Sequence, residues 1–241
     1  MIAFSSLPLS ELSRPLWLAC FDDATEEELV RLLACFPRDT RVLLSKENGA
    51  AVSQGVLMPL TLCGRRGYYL YAIATHPAFR GRGYMRAFLA AAKAEATKNG
   101  FDFLLLIPAT HALGDTYRRA GFLQELPLAA DEAGEHPIYR LPQSVRLFPY
   151  DGDPHALFAR YDGELSRDAL CAALASVSDK TEIFYTESGF CAVSRRDHAA
   201  CFTADRTTLS KCQICPSPYR ALLCPLTEPF AADKMADPLP R

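Results

Sequence analysis

The 241-residue chain is long for one average domain and short for two, taking roughly 150 residues per domain. It is 49% hydrophobic and 22% charged, enough to bury a core, and its formal net charge of −2 argues against a nucleic-acid binder, which carries a basic face. No apolar run approaches the ~20 residues of a membrane span, and the opening stretch holds Glu11 and Arg14 without a basic start. Neither a membrane partner nor a secretory signal is expected, and the expected location is the cytoplasm.

From residue 7 to 21 a short helical pattern runs around Leu12, Leu16 and Trp17. Thr25 and Glu28 then stand at capping-box spacing, opening a helix through Leu29, Leu32, Leu33 and Phe36 that Pro37 closes. Residues 42–46 and 51–62 predict two strands joined at Asn48-Gly49, a hairpin dipeptide. Gly64-Arg65-Arg66-Gly67 predicts the next turn, and the apolar run 68–75 a third strand ended by His76-Pro77. In that strand Tyr69, Tyr71, Ile73 and Thr75 are expected on one face.

Next comes Phe79-Arg80-Gly81-Arg82-Gly83-Tyr84-Met85, followed by Phe88, Leu89, Ala92 and Ala96 at helical spacing up to Gly100. A strand, a Gly/Arg turn and a helix in this order suit a diphosphate. Glycines remove the Cβ that would hold a ligand off the backbone, and the N–H groups of a helix start point at an anion. Arg80 and Arg82 add permanent charge with a geometry that fits phosphate oxygens. Residues 103–107 then read as a buried strand ended by Pro108. A helix from about residue 110 places Leu113, Tyr117 and Ala120 on one face before Gly121-Phe122. Strand, helix, strand implies a parallel pair with a right-handed crossover. The first 126 residues are thus expected to form an α+β domain, with a Pro-, Ala- and acid-rich linker at 127–144 and a smaller α+β unit at 145–241.

Shifting the chain by 141 residues lays 16–53 over 157–194 without a gap. Leu16, Leu29, Leu33, Ala34, Thr40, Ala51, Val52 and Ser53 then meet Leu157, Leu170, Leu174, Ala175, Thr181, Ala192, Val193 and Ser194. Both stretches carry a helix–helix–hairpin order, so an internal tandem duplication is expected. The same shift carries Arg80 onto Ala221, where no Arg/Gly turn stands. The nine cysteines are read as reduced thiols, and Cys212 and Cys215 lack the second close pair that a structural zinc site needs. No metal is expected.

The segment 68–122 resembles the core of the GNAT N-acetyltransferases. Their signature, Arg or Gln, two residues, Gly, one residue, then Gly or Ala, stands here as Arg80-Gly81-Arg82-Gly83-Tyr84-Met85, with Met85 in place of the small residue. A second element, Tyr-x-x-x-Gly-Phe, stands as Tyr117 to Gly121-Phe122 at the family's spacing. The two-unit arrangement also resembles the enhanced-intracellular-survival type of acetyltransferase. The resemblance implies a GNAT acyl-CoA N-acyltransferase fold, followed by a partial GNAT-like unit without its own CoA site. It further implies that main-chain groups of Ile73, Ala74 and Thr75 pair with the pantetheine arm of acetyl-CoA. Arg80, Arg82 and the N–H groups of Gly81, Gly83, Tyr84 and Met85 would hold the diphosphate, and an N–H near Ile73 the oxyanion. Tyr117 would protonate the departing thiolate, chemistry that a phenol of pKa ~10 can perform while neutral.

The implied reaction is direct acetyl transfer to a primary amine in a ternary complex, the amine itself being unidentified. The alternative is a non-catalytic acyl-CoA-binding or regulatory module. Two histidines are set aside: His76 as structural, and His111 as a lone side chain near a helix start. No Asp or Glu stands at 68–75 to act as a base, so either the amine arrives neutral or a water chain or a residue of the second copy takes its proton; Tyr69 and Tyr71 are candidates for lining the acceptor pocket. A homodimer is left open.

Overall fold

A computed structural model describes residues 2–22, 24–37, 39–62, 64–129, 139–140, 144, 146–150, 181–185, 190–194, 200–203, 213–214, 216–227 and 239–240. Two compact units divide the chain. One holds Met1–Leu106, Ala112–Gln124 and Leu222–Pro229, and the other Ile107–His111, Glu125–Ala221 and Phe230–Arg241.

The first unit is built from β1 (Ser5–Pro8), α1 (Arg14–Cys20), α2 (Glu26–Cys35), β2 (Arg41–Glu47), β3 (Ala50–Leu62), β4 (Arg65–Thr75), α3 (Tyr84–Lys98), β5 (Phe103–Leu106) and nearly all of α4 (His111–Arg119). Its strands lie in the order β1-β2-β3-β4-β5. The meander β2-β3-β4 is antiparallel, and β4 and β5 are parallel around the α3 crossover. The β2–β3 turn falls at Asn48 and Gly49, both at positive φ, as a tight hairpin of right-handed strands requires.

Two expectations need correction. Residues 7 and 8 are strand, not helix: Leu7 pairs with Val42, and Arg41 fixes β1 by donating to the Ser6 hydroxyl at 2.7 Å and carbonyl at 3.0 Å. The helix begins only after Ser13, whose hydroxyl accepts from the Leu16 N–H at 3.4 Å, with Pro15 in its first turn. The turn expected at 64–67 is also tighter, since Arg65, Arg66 and Gly67 already pair with β3. Gly67 is a strand residue because the Phe103 ring lies on it; a Cβ there would come within 2.6 Å of that ring.

One face of the sheet packs on α3. Phe88, Leu89, Ala92 and Ala96 lock against Leu43, Leu57, Tyr68, Leu70, Leu104 and Leu106. These positions are the apolar stripe read from the sequence, and burying each large side chain is worth about 1.5–3 kcal/mol. At its far end α3 closes in a Schellman turn. Gly100 sits at φ +68°, and the Phe101 N–H donates to the Ala96 carbonyl at 2.9 Å. Phe101 is thereby folded back onto Tyr68, ring centroids 4.4 Å apart.

The other face carries α1 and α2 and is organised by one buried amide. Gln54 on β3 is fully enclosed; its oxygen accepts from the Ser13 N–H at 2.9 Å and its nitrogen donates to the Ser13 carbonyl at 3.1 Å. This copies a strand pairing with a side chain and fixes where α1 starts. Gln54→Ala is expected to destabilise the protein by about 1–3 kcal/mol, because two main-chain groups lose their partner. A thermal midpoint unchanged from wild type would contradict this.

The strand β13 (Pro216–Pro225) sends its end into the first unit. Leu222, Leu223, Cys224 and Pro225 pair antiparallel with β5, so of Phe103–Leu106 the first three have a strand on each side and Leu106 pairs with β13. That explains why those four residues are all apolar and all buried.

In the second unit, β6 (Gln124–Ala129) pairs in parallel with β14 (Leu239–Pro240), so residues 127–129 of the expected linker are strand. A second sheet orders β12 (Gln213–Ile214), β7 (Tyr139–Arg140), β11 (Ala200–Thr203), β10 (Phe190–Ser194), β9 (Thr181–Tyr185) and β8 (Phe148–Pro149). The hairpin expected from the duplication is there, with Ile183 opposite Ala192. Its pairing differs from that of the stretch it was expected to duplicate, in which Val42 and Ala51 face Val56 and Lys46. The helices expected between 157 and 180, together with Cys212 and Cys215, lie outside the described residues.

Candidate active site

Strand β4 pairs with β5 only from Gly67 to Tyr69, opposite Phe103 to Leu105. It then runs on to Thr75 with β3 alone beside it. The parting coincides with a bulge. Tyr71 faces Val56 and Ala74 faces Gln54, so three steps on β4 match two on β3, and Ala72 takes the surplus at φ +49°. A left-handed alanine costs about 1–2 kcal/mol. In return, the β5-facing edge past Tyr69 has no strand across from it among the described residues.

The bulge also corrects the expected alternation. Tyr69 and Tyr71 share the α1/α2 face, where Tyr71 meets Trp17 at 6.2 Å and Phe36 at 5.9 Å between centroids. Ile73 does not join them; it packs against the opposite core cluster, the one containing Tyr117 and Leu106. An inserted residue inverts every side chain after it.

The end of β4 is tied down by a hydroxyl network. Ser53, fully buried, donates to the Ala74 carbonyl at 2.9 Å and meets the Thr75 hydroxyl at 2.9 Å. Arg80 Nε donates to the Thr75 carbonyl at 3.2 Å, joining the turn to the strand. His76 is structural: its N–H donates to the Val52 carbonyl at 2.9 Å, and its Nδ1 accepts from Ala78 at 3.3 Å. Gly81 and Gly83 hold φ +75° and +90°. Gly83 is the N-cap of α3, and no side chain caps that end. The first-turn N–H groups of α3 therefore face outward beside the exposed Arg80 and Arg82.

Two neighbours of this turn carry no local signal in the sequence. The Tyr84 hydroxyl donates to the Glu47 carboxylate, which raises the phenol pKa and fastens the start of α3 to the β2–β3 hairpin. Cys20, the last residue of α1, is pushed up by burial and held back by the charge and hydrogen bond of Arg80. Met85, the departure from the family signature, packs against the core cluster and so leaves the turn clear.

Tyr117 lies in α4 with its ring buried. The helix ends as α3 does: Gly121 at φ +96°, the Phe122 N–H on the Tyr117 carbonyl at 3.2 Å, and the Gly121 N–H on Arg118 at 2.9 Å. This explains the Tyr-x-x-x-Gly-Phe spacing physically. The glycine makes the left-handed turn, and Phe122 closes edge-on to Tyr117 with centroids 6.1 Å apart. Lys93 caps the same end by donating to the Ala120 carbonyl at 2.5 Å. Burial raises the Tyr117 pKa to about 12, so the phenol stays protonated throughout the neutral range. His111, the first residue of α4, is exposed.

The structure thus brings Ile73, Ala74, Thr75 and Arg80 together at one strand end. Gly81 to Met85 stand beside them, and Tyr117 lies in the core cluster on which Ile73 packs. Among the described residues no group of three His, Cys, Asp or Glu side chains could hold a metal, and no helix is long and apolar enough to cross a membrane.

Residues 13–124 match the family model described as acetyltransferase (GNAT) domain. The mixed sheet with flanking helices is the GNAT fold, and it is this stretch, just under half of the chain, that the family model matches. GNAT enzymes are acyltransferases that draw on acetyl-CoA or another acyl-CoA. No curated protein is significantly similar in sequence. Among solved structures, a probable N-acyltransferase from Enterococcus faecalis V583 is similar with a TM-score of 0.55 and 12% identity, over 99% of this chain and 69% of that one. A GCN5-related N-acetyltransferase from Anabaena variabilis reaches 0.54 at 13% identity, covering 92% and 72%. Eis1 from Mycobacterium abscessus reaches 0.50 at 14%, covering 81% and 54%. At these identities the likeness is one of fold.

Proposed function

We propose that the protein transfers an acetyl group from acetyl-CoA to a primary amine, by direct attack in a ternary complex. The observation that carries this reading is the parting of β4 from β5 just before an uncapped, glycine-started helix. An unpaired strand edge suits the amides of a pantetheine arm, as one more strand would. The fit to CoA rests on the turn: nothing but Arg86, 3.7 Å away, would meet a Cβ at Gly83, so the backbone there is open to a diphosphate. Arg80 and Arg82 supply the matching charge. The main-chain N–H groups at the bulge, near Ile73, stabilise charge developing on the thioester oxygen. The amine nitrogen forms the new bond to the acetyl carbon, the C–S bond breaks, and the Tyr117 hydroxyl gives its proton to the sulfur; the proton that the nitrogen sheds on becoming an amide passes to solvent water, from which the phenol is restored.

A second reading, an acyl-CoA-binding module without turnover, is favoured by the lack of Asp or Glu at 68–75. Calorimetry with CoA, then thiol release from acetyl-CoA across a panel of amines, separates the two. The enzyme reading expects both signals and the module only the first. Folded protein that binds no CoA contradicts both. Arg82→Ala removes an exposed charge and is expected to weaken CoA binding several-fold with the thermal midpoint unchanged. An unaltered affinity would remove Arg82 from the diphosphate site.

A further inference from the structure

We infer that Phe79 is a positioning residue of the diphosphate site: its ring holds Arg82 beside the start of α3, and the Tyr84 hydroxyl, bound to Glu47, holds that ring in place. The inference rests on the CoA reading of the turn and names side chains of that same site that touch no reacting atom.

Arg82 gets little help from its own backbone. It stands between Gly81 and Gly83, both at positive φ, and its side chain is exposed. Among the described residues it has no hydrogen bond and no ion pair. What it has is a ring: its guanidinium carbon lies over Phe79, 5.0 Å from the centroid. A cation is drawn to a ring face by the quadrupole, and the attraction engages no carbonyl or carboxylate. The N–H donors of Arg82 thus stay available to phosphate oxygens, while the side chain gives up part of its rotamer freedom before the ligand arrives. Arg80 differs. Its Nε already donates to the Thr75 carbonyl, so the strand sets its place.

Phe79 is itself braced. His76 and Tyr84 stand steeply to its plane, at 76° and 86°, with centroids 5.9 and 6.2 Å away. Both neighbours are fixed from elsewhere. His76 is bonded to Val52 and to Ala78. Tyr84 is 3% exposed, and its hydroxyl donates to Glu47, 37 positions back in the chain. A phenol on a carboxylate makes a charge-assisted bond, roughly twice as strong as a neutral one. Glu47 ends β2 at the Asn48-Gly49 turn. The brace therefore runs from that hairpin through Tyr84 and Phe79 to Arg82.

The test is a double-variant cycle read by CoA calorimetry. Phe79→Leu is expected to weaken CoA binding about two- to fivefold, the range of an exposed cation–π contact. In an Arg82→Ala background the same change should have almost no effect, because the residue it acts through is gone. Phe79→Trp keeps a ring face and should bind CoA as wild type does. Tyr84→Phe should also weaken binding, again only while Arg82 is present. A change that merely loosened the fold would lower affinity equally with and without Arg82, so the cycle separates positioning from stability. Phe79→Met replaces Phe79→Leu should the latter not fold. Equal losses in both backgrounds overturn the inference, as does wild-type affinity in Phe79→Leu or Arg82→Ala, or a Phe79→Trp protein as weak as Phe79→Leu. Unchanged affinity in Tyr84→Phe overturns the part given to Glu47. Wild-type protein that binds no CoA overturns the CoA reading itself.

Discussion

Tyr117→Phe is expected to lower kcat by about 10²- to 10⁴-fold, the usual contribution of a positioned general acid, with little change in CoA affinity. The substitution is clean because the ring does the packing. Tyr117 sits in the core edge-on to Phe122, and phenylalanine preserves that contact. The hydroxyl has no hydrogen-bond partner among the described residues, and it is not one of their sealed, unpartnered polar atoms. Removing it therefore orphans nothing. Steady-state kinetics with a fixed amine reads the effect, and an unchanged kcat would end the role of Tyr117 as acid.

The raised pKa adds a check by pH. With a folded pKa of about 12 against ~10 unfolded, Tyr117 sets no alkaline limb on the rate profile below about pH 11. Between pH 10 and 12 the unfolded chain releases a proton that the folded one keeps. The unfolded state then binds fewer protons, and stability falls as pH rises through that window. The contribution is intact below pH 10 and amounts to about 2–3 kcal/mol lost by pH 12. Tyr117→Phe lacks this group, so its alkaline unfolding should be correspondingly shallower.

Gly55→Ala is expected to produce a large loss of stability, about 1–3 kcal/mol from overpacking. A Cβ at Gly55 would lie 2.4 Å from the Phe88 ring, and Phe88 is fully buried between α3 and the sheet. Neither partner can yield. The strand is held by β2 and β4 on its two sides, and the ring is enclosed by the core. Denaturant unfolding measures the loss, and the double variant with Phe88→Leu identifies the cause. If the ring is the obstacle, the two changes together cost less than their sum. Strict additivity would place the strain elsewhere.

Much of this architecture is legible wherever the signal is local. Asn48-Gly49 marks its hairpin, the stripe from Phe88 to Ala96 marks α3, and Gly100 and Gly121 mark the two helix ends. The Gly/Arg turn is legible for the same reason, since a glycine at positive φ leaves its trace in one residue. The bulge at Ala72 leaves none. Tyr71, Ala72 and Ile73 read as uninterrupted strand, and no glycine or polar residue marks the surplus position. The face assignment of Ile73 fails with it. Long-range partnerships are equally silent. Tyr84 with Glu47 and Ser13 with Gln54 are pairs formed by tertiary structure, although a glutamine inside an apolar strand is a hint that something polar waits for it. The pairing of Leu222–Pro225 with β5 joins residues more than a hundred positions apart, beyond what periodicity can detect.

That last pairing has a consequence for biosynthesis. Leu106 meets Leu222 in the finished sheet, so once β5 has been made, about 116 further residues must be translated before its second neighbour exists. At ~5–20 residues per second the ribosome needs roughly 6–23 s for them. Throughout that interval four apolar residues offer a bare hydrogen-bonding edge, the form in which nascent chains are most open to mispairing. The sheet that carries the candidate active site is therefore completed only when residues 222–225 exist, and the protein's yield in cells should depend on what shields that edge while translation continues.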